Sequence, residues 1–283
     1  MNLNRSLQVI DAQIHIWANA LPENPVHWQI KSFLAEDAIV LMDEAGVDGA
    51  VITPPSWCPE AIDLARAAVR QYSGRFAVMG LMPLAQPVET SCAQIEDWRS
   101  EPGMLGLRFS FRSKAVQQRL QDGELEEIWA AAETAGVPLT TLSPDHLTEL
   151  GHIAERYPGL RITIDHLGGL GGSTSSKDAE AMTHIPDLLA LVKYPNIAVK
   201  ASGLPGYSAE AYPFPVMQGY LKQVFDAFGP ERVFWGTDIS KMPCHWRECV
   251  TMFTEELPWL SEADKRLVMG EGLCRWWGWE RGA

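Results

Sequence analysis

The sequence has few cysteines, and their arrangement argues against a structural role for them. The five cysteines among 283 residues form no Cys-x-x-Cys pair, and an odd number in a chain of this length does not suit a disulfide framework. We therefore expect a reducing compartment, the cytoplasm. The N-terminus lacks a basic segment followed by an apolar one, and no apolar run approaches the roughly 18 residues that would span a bilayer. No membrane partner is expected.

Positive charge is also scarce. Lys and Arg number 23 against 36 Asp and Glu, which gives a formal net charge of −13. The resulting field repels phosphate backbones and anionic lipid surfaces, so nucleic acid is not an expected partner. An anionic small molecule is not excluded, because a few buried Arg or Lys side chains can reverse the potential inside a pocket. We expect a small-molecule substrate, and a homo-oligomer stays open.

Short apolar runs alternate with helical patterns along the chain. Runs that predict strands occur at 9–17, 49–55, 76–84, 104–111, 137–144, 161–169, 197–204 and 232–240. They are almost continuously apolar, as expected where helices cover one face of a parallel sheet and a packed interior covers the other. Helical patterns occur at 33–46, 59–72, 124–136, 147–158 and 185–195, and a closing helix is predicted at 260–279. Eight βα units without a Gly-rich first turn predict an α/β fold, a single-domain (β/α)8 TIM barrel over 1–283.

Polar residues late in the strands are the candidate site residues, because the active site of a TIM barrel lies at the carboxyl ends of its strands. They are Gln13 and His15, Arg108, Thr141 and Ser143, His166, Lys200 and Ser202, and Asp238. Gln13 and His15 are two residues apart and therefore share one face of strand 1. By the same alternation Asp165 is expected on the face opposite His166, where it would serve helix packing or a cap.

Four motifs carry a resemblance to a known family. DAQIHIW, TIDHLGG, VKASGL and WGTDIS, in this order, resemble the amidohydrolase-2 branch of the amidohydrolase superfamily, and most closely its 2-pyrone-4,6-dicarboxylate lactonase-like hydrolases. The resemblance covers nearly the whole chain. The superfamily motif on strand 1 is His-x-His, whereas this chain has Gln13-x-His15. Where many members carry a metal-binding Lys or His on strand 4 or 5, this chain has Arg108, Thr141 and Ser143, so two customary metal ligands are missing.

The resemblance implies a hydrolase for a small carbonyl substrate, and we expect a carboxylated lactone, of the kind met in aromatic compound catabolism. In this interpretation Asp238 activates water as a general base, while His15 and His166 donate to the carbonyl oxygen. A neutral amide oxygen is a poor zinc ligand, so no metal cofactor is expected. The alternative is one divalent ion, Zn or Mn, held by His15, His166 and Asp238.

Four residues are expected to bind substrate: Arg108, Gln13, Trp17 and Lys200. Arg108 would grip a carboxylate through bidentate contacts, or else form a structural ion pair at the barrel rim. Lys200 would orient a substrate oxygen or Asp238, or pair with Asp11 or Asp165 in a structural network. Trp17 is selected because it follows the strand 1 histidine by two residues.

Other functions stay open at this stage. A metal-dependent decarboxylase or hydratase of the same superfamily would place an acidic metal ligand where this chain has Gln13. A non-catalytic barrel that binds a ligand after losing its metal centre is a further alternative. The joint presence of His15, His166 and Asp238 argues against that last interpretation, because a binding barrel does not need all three.

Overall fold

A computed structural model describes residues 7–281, and the ends of the predicted domain, 1–6 and 282–283, lie outside the described residues. Eight strands form one sheet in sequence order: β1 Ile10–Ile14, β2 Gly49–Ile52, β3 Phe76–Leu81, β4 Met104–Ser110, β5 Leu139–Leu142, β6 Ile162–Ile164, β7 Ile197–Ser202 and β8 Val233–Gly236. Each strand pairs in parallel with the next. Strand β8 lies against β1, so the predicted TIM barrel is confirmed.

The α-helices lie between and after the strands. They are α1 Ala35–Ala45, α2 Ala61–Gln71, α3 Val88–Asp97, α4 Lys114–Gln121, α5 Glu126–Ala135, α6 Leu147–Arg156, α7 Asp178–Ala181, α8 Ile185–Leu189, α9 Leu204–Tyr207, α10 Pro215–Phe228, α11 Trp246–Thr254, α12 Glu262–Arg266 and α13 Gly272–Trp277. All five predicted inter-strand helices are present, and α1 and α5 end at Gly46 and Gly136 with φ of 77° and 64°. Within residues 7–281, no helix combines the length and apolarity needed to cross a bilayer.

The single closing helix predicted over 260–279 is wrong. The segment consists of α12, a π-helical turn at Leu267–Glu271 and α13. The interruption falls at Gly270, whose φ of 175° is extended. A Cβ at Gly270 would lie 2.9 Å from the backbone oxygen of Gln8, so the helix breaks where it passes close to the start of β1.

A separate apolar cluster fills the barrel interior. It includes Ile10 of β1, Val51 of β2 and Phe234 of β8, and α13 contributes the indole of Trp277. The Trp277 Nε1–H donates to Thr163 Oγ1 of β6 at 3.1 Å. The larger buried cluster comprises residues from strands and from the helices packed around them. Because α13 supplies a ring to the interior, the C-terminal helix is part of the barrel core.

Asp11 holds the seam between β1 and β8. Its fully buried carboxylate accepts hydrogen bonds from the backbone N–H groups of Gln13 and Thr237 and from Trp246 Nε1, each at 2.9 Å. The Asp238 N–H donates to the Gln13 carbonyl at 2.8 Å across the same seam. Burial raises the pKa of Asp11 to about 6, although these donors lower it. The first and last strands are therefore joined by one side chain as well as by backbone contacts.

The variant Asp11→Asn tests this closure. An Asn amide keeps the shape but turns an NH2 group toward donors, so at pH 7.5 the free energy of unfolding should fall by about 2 kcal/mol. Urea denaturation measures the change. The matched control is Asp63→Asn on α2, whose side chain is 80% exposed, and it should stay within about 0.5 kcal/mol of the parent. Equal stability of the two variants would show that Asp11 does not hold the seam.

Candidate active site

A cavity of about 720 Å³ opens where the strands end. Its wall includes His15, His27, Arg108, Asp238 and Lys241. Another cavity, of about 840 Å³, is lined by residues of α1, of α11 and of the segment before α11, and none of the predicted site residues lines it. The candidate chemistry is therefore concentrated in the cavity at the carboxyl ends of the strands.

Asp238 is the fully buried carboxylate of this cavity. It lies two residues after the end of β8 and has a left-handed φ of 56°. Its Oδ2 lies 2.6 Å from Lys241 Nζ, and its Oδ1 lies 3.3 Å from His15 Nε2. Burial raises the pKa of Asp238, but Lys241 and the surrounding imidazoles together lower it more, to well below its usual range. The carboxylate is therefore ionised, and by itself it is a weak base.

His15 presents one bound and one unbound ring nitrogen. Its Nδ1 lies 2.6 Å from the Thr53 carbonyl oxygen, which can only accept, so Nδ1 carries the proton. Burial lowers the pKa of His15, which favours the neutral ring and leaves Nε2 as an acceptor. The buried Asp238 Oδ1 that it faces has no hydrogen-bond partner in the part of the chain that is described. The predicted donor role of His15 toward a carbonyl is therefore not supported by this geometry, in which two acceptors face each other.

His166 lies beneath the cavity and does not line it. It adopts a left-handed φ of 53° after β6 and is fully buried. Its Nδ1 lies 2.9 Å from Ser202 Oγ and its Nε2 lies 3.4 Å from Gln13 Nε2 and 3.6 Å from Asp238 Oδ2. Burial lowers the pKa of His166 to about 3, so the ring is neutral. The expected contact of His166 with a substrate carbonyl is therefore not supported, and its polar neighbours are Ser202, Gln13 and Asp238.

The environment of Asp165 differs from the helix packing or cap that the sequence predicted. It is fully buried, accepts from Arg108 Nε at 2.7 Å and lies 2.8 Å from Lys200 Nζ. Burial alone would raise the pKa of Asp165. Lys200 and Arg108 have the larger, opposite effect, so the pKa is lowered to about 2. The predicted alternation fails because β6 ends at Ile164 and the chain then turns left-handed at His166. The structural ion pairs that were alternatives for Arg108 and Lys200 are both present.

Three of the predicted substrate-binding residues lie behind the cavity wall. Lys200 Nζ donates to Gln13 Oε1 at 3.0 Å, and both side chains are fully buried. Trp17 is also fully buried, with its ring 6.1 Å from that of Trp57, which does line the cavity. Direct contact of Gln13, Lys200 or Trp17 with a substrate is therefore not supported. Arg108 alone of the four lines the cavity.

Lys241 and His27 line the cavity but were not among the predicted site residues. Lys241 follows Asp238 by three residues, so its signal lay just beyond the WGTDIS motif. His27 lies in the segment between β1 and α1, with Nδ1 2.7 Å from Ser240 Oγ. Burial lowers the pKa of His27 to about 3. No periodic pattern surrounds His27, so no sequence signal distinguished it from other loop histidines.

The donor set for a divalent ion differs from the predicted one. His15, His27 and Asp238 each offer one ligand atom, and these atoms lie within 4.8 Å of one another. His27 takes the place expected for His166, whose two nitrogens face Ser202 and Gln13. Metal-binding histidines commonly donate their other N–H to a carbonyl, as His15 does to the Thr53 oxygen. Asp238 Oδ1 has no hydrogen-bond partner among residues 7–281, and with it these donors fit one divalent ion.

The glycine-rich segment after β6 packs against His166. Gly171 has a φ of 60°, and its N–H donates to Tyr207 Oη at 2.6 Å. A Cβ at Gly171 would lie 3.0 Å from two atoms of the His166 ring. Residues 171 and 172 are both buried, so this part of the segment is packed into the site.

Comparisons with known proteins agree with this architecture. Residues 10–271 match the family model described as amidohydrolase. The L-fucono-1,5-lactonase of Burkholderia ambifaria is 26% identical over 280 residues, which cover 95% of this chain and 92% of that protein. A zinc-bound amidohydrolase from Burkholderia multivorans superposes with a TM-score of 0.79 at 18% identity, covering 96% of this chain and 99% of that one. A protein described as a probable 2-pyrone-4,6-dicarboxylic acid hydrolase from Acinetobacter baumannii, with citric acid bound, gives 0.72 at 15% identity and the same coverage. At these identities the two structures show a shared fold.

The variant Gly171→Ala tests the packing of His166. It should lose about 1 to 2 kcal/mol of stability from the left-handed backbone and should also displace the imidazole ring. The matched control is Gly123→Ala, whose φ of 74° imposes the same strain while its Cβ meets nothing within 4 Å. Thermal unfolding and the chemical shifts of the His166 ring are the measurements. Identical His166 shifts in both variants would contradict the contact.

Proposed function

The chain belongs to the amidohydrolase family, and from this premise we propose that it is a lactonase that hydrolyses a small cyclic ester carrying a carboxylate. The similarity to L-fucono-1,5-lactonase over nearly the whole chain supports lactone hydrolysis. The observation that carries the proposal is the buried, ionised Asp238, set beside Lys241 in a cavity whose wall also holds Arg108 and Arg112. An acceptor for a water proton and donors for an oxyanion are what ester hydrolysis requires.

Water activation is assigned to Asp238 together with His15. Asp238 Oδ1 and His15 Nε2 are two acceptors 3.3 Å apart, so a water molecule that donates to this pair loses its proton to it as the hydroxyl oxygen attacks the carbonyl carbon. Asp238 alone is a weak base because its pKa is held low. Sharing the proton with an imidazole stabilises the protonated pair, which then returns the proton to the leaving ring oxygen.

Stabilisation of the oxyanion is assigned to Lys241. Its ammonium lines the cavity and is bound to the carboxylate of the proposed base. As negative charge develops on the carbonyl oxygen, the ammonium is drawn from Asp238 toward it, which raises the basicity of Asp238 at the moment of proton transfer. A hydrogen-bond donor to an oxyanion is typically worth about 3 to 4 kcal/mol.

Recognition of the substrate carboxylate is assigned to Arg108. Within residues 7–281 its guanidinium makes a hydrogen bond only through Nε, to Asp165, and this bond fixes its orientation. The terminal nitrogens are then available for a bidentate contact with a carboxylate. Arg112 adds a second positive charge to the cavity wall. These cations support an acidic lactone over a neutral one.

We propose that hydrolysis proceeds without a metal cofactor. A divalent ion held by His15, His27 and Asp238 would supply Lewis-acid polarisation of the carbonyl group. The ammonium of Lys241 already provides positive charge at Asp238, and the Oε1 atom of Gln13 is engaged by Lys200. The steps above therefore use only groups of the chain itself.

The metal-dependent decarboxylase is the second candidate, and the three-donor cluster of His15, His27 and Asp238 favours it. The two functions give different products. Incubating the metal-free protein with a carboxylated six-membered lactone should open the ring without release of CO2. Turnover of an aromatic carboxylic acid to CO2, dependent on added Zn²⁺ or Mn²⁺, would favour the decarboxylase, and binding without turnover of either substrate would favour a ligand-binding barrel.

The variant Asp238→Asn separates a base from a positioning residue. Turnover of the lactone should fall by about two to four orders of magnitude, because Asn keeps the shape but cannot take a proton. Asp226→Asn on α10, an exposed position, is the control and should retain parental turnover. Steady-state rates of ring opening measure both variants. Full activity of Asp238→Asn would disprove the assigned role.

The variant Arg108→Lys tests carboxylate recognition. Lys keeps the charge but loses the planar fork, so KM for a carboxylated lactone should rise by about tenfold while kcat changes less. A neutral sugar δ-lactone, assayed with the same two proteins, is the control substrate and should show little change in KM. An equal rise for both substrates would mean that Arg108 acts on the cavity through its ion pair with Asp165.

A further inference from the structure

Lys241 is held on the Asp238 carboxylate by the local backbone. The short 3-10 helix Ile239–Lys241 follows Asp238 directly, and the Lys241 N–H donates to the Asp238 carbonyl at 2.9 Å. This turn returns the Lys241 side chain toward the residue from which it starts. The ammonium lies 2.6 Å from Oδ2, and only 7% of the Lys241 side chain is exposed. Its other polar contact is a longer one, 3.4 Å to Ser173 Oγ.

The same carboxylate belongs to the three-donor cluster of His15, His27 and Asp238. Its two oxygens face different groups, since Oδ1 faces His15 Nε2 and Oδ2 faces Lys241. A divalent ion in the cluster would share one carboxylate with an ammonium already in contact with it. The metal ion and the ammonium are both positive, and two like charges held on one carboxylate repel strongly when water is largely excluded.

The charges around Asp238 further disfavour a divalent ion in the cluster. Asp165 is the other buried carboxylate of the site, and it already pairs with two cations, Arg108 and Lys200. Asp238 and Lys241 balance each other, so these five side chains together carry one excess positive charge without any metal ion. A divalent ion would raise that excess to three charges.

We propose that Lys241 is a built-in counter-ion that competes with a divalent metal ion for Asp238 and so sets the metal affinity of the His15, His27 and Asp238 cluster. In the parent protein the ammonium satisfies the carboxylate, and the cluster binds divalent ions weakly. Without the ammonium, the same three donors bind one ion tightly. The inference concerns metal affinity and does not depend on which substrate the protein hydrolyses.

The test is a calorimetric titration of metal-free protein with Zn²⁺. Lys241→Met keeps an unbranched side chain one atom shorter and removes the charge, and the Zn²⁺ association constant should rise by about 10- to 100-fold with one ion bound per chain. Lys241→Arg keeps the charge and should bind as weakly as the parent. Arg112→Met removes a charge from the same cavity wall without touching Asp238, and its effect should be less than about threefold.

Two further measurements keep the result interpretable. Thermal unfolding without metal shows whether Lys241→Met folds, and Lys241→Gln replaces it if it does not. The double variant Lys241→Met with Asp238→Asn should lose the added affinity, which locates the ion at the cluster. The proposal is overturned if Lys241→Met binds Zn²⁺ no more tightly than the parent, or if Arg112→Met produces an equal gain. Neither result depends on turnover, so failure here is distinct from failure of the lactonase proposal.

Discussion

Closure of the barrel brings β1 beside β8, and at this seam the Asp11 carboxylate accepts from donors on both sides of the junction. The backbone N–H groups that Asp11 binds lie close in sequence to the proposed catalytic residues. Thr237 immediately precedes Asp238, and Gln13 lies two residues before His15. A shift of this seam by one residue would move Asp238 away from the His15 ring. The geometry of the site therefore depends on a carboxylate that does not line the cavity.

The sequence predicted the barrel because each parallel strand is covered on both faces and therefore reads as an almost continuous apolar run. The sequence also predicted that His15 and Asp238 lie together, because both follow the ends of recognisable strands. The roles of Asp165 and His166 could not be obtained in this way. Side-chain alternation holds only while the backbone stays extended, and the chain turns left-handed immediately after Asp165.

Lys241 and His27 illustrate a different limit. His27 owes its position to a contact with a segment far away in sequence, whereas Lys241 owes its position to a tight turn after Asp238. Neither residue belongs to a periodic element that a sequence pattern could reveal. His27 is brought to the cavity by Ser240, more than 200 residues further along the chain. The residue after a motif can be as important as the motif, as Lys241 shows beside the strand 8 aspartate. The net charge of the chain did not predict the charge of the cavity wall. A chain of net charge −13 forms a cavity lined by Arg108, Arg112 and Lys241.

The position of the Trp277 indole limits the order in which the barrel core can assemble during synthesis. It packs in the barrel interior, donates to Thr163 and lies with its ring centre 5.5 Å from the ammonium of Lys200. On the ribosome, all eight strands are synthesised before this ring, so the barrel interior beneath Lys200 lacks the indole until residue 277 has been translated. The barrel core can therefore be completed only after Trp277 has left the exit tunnel.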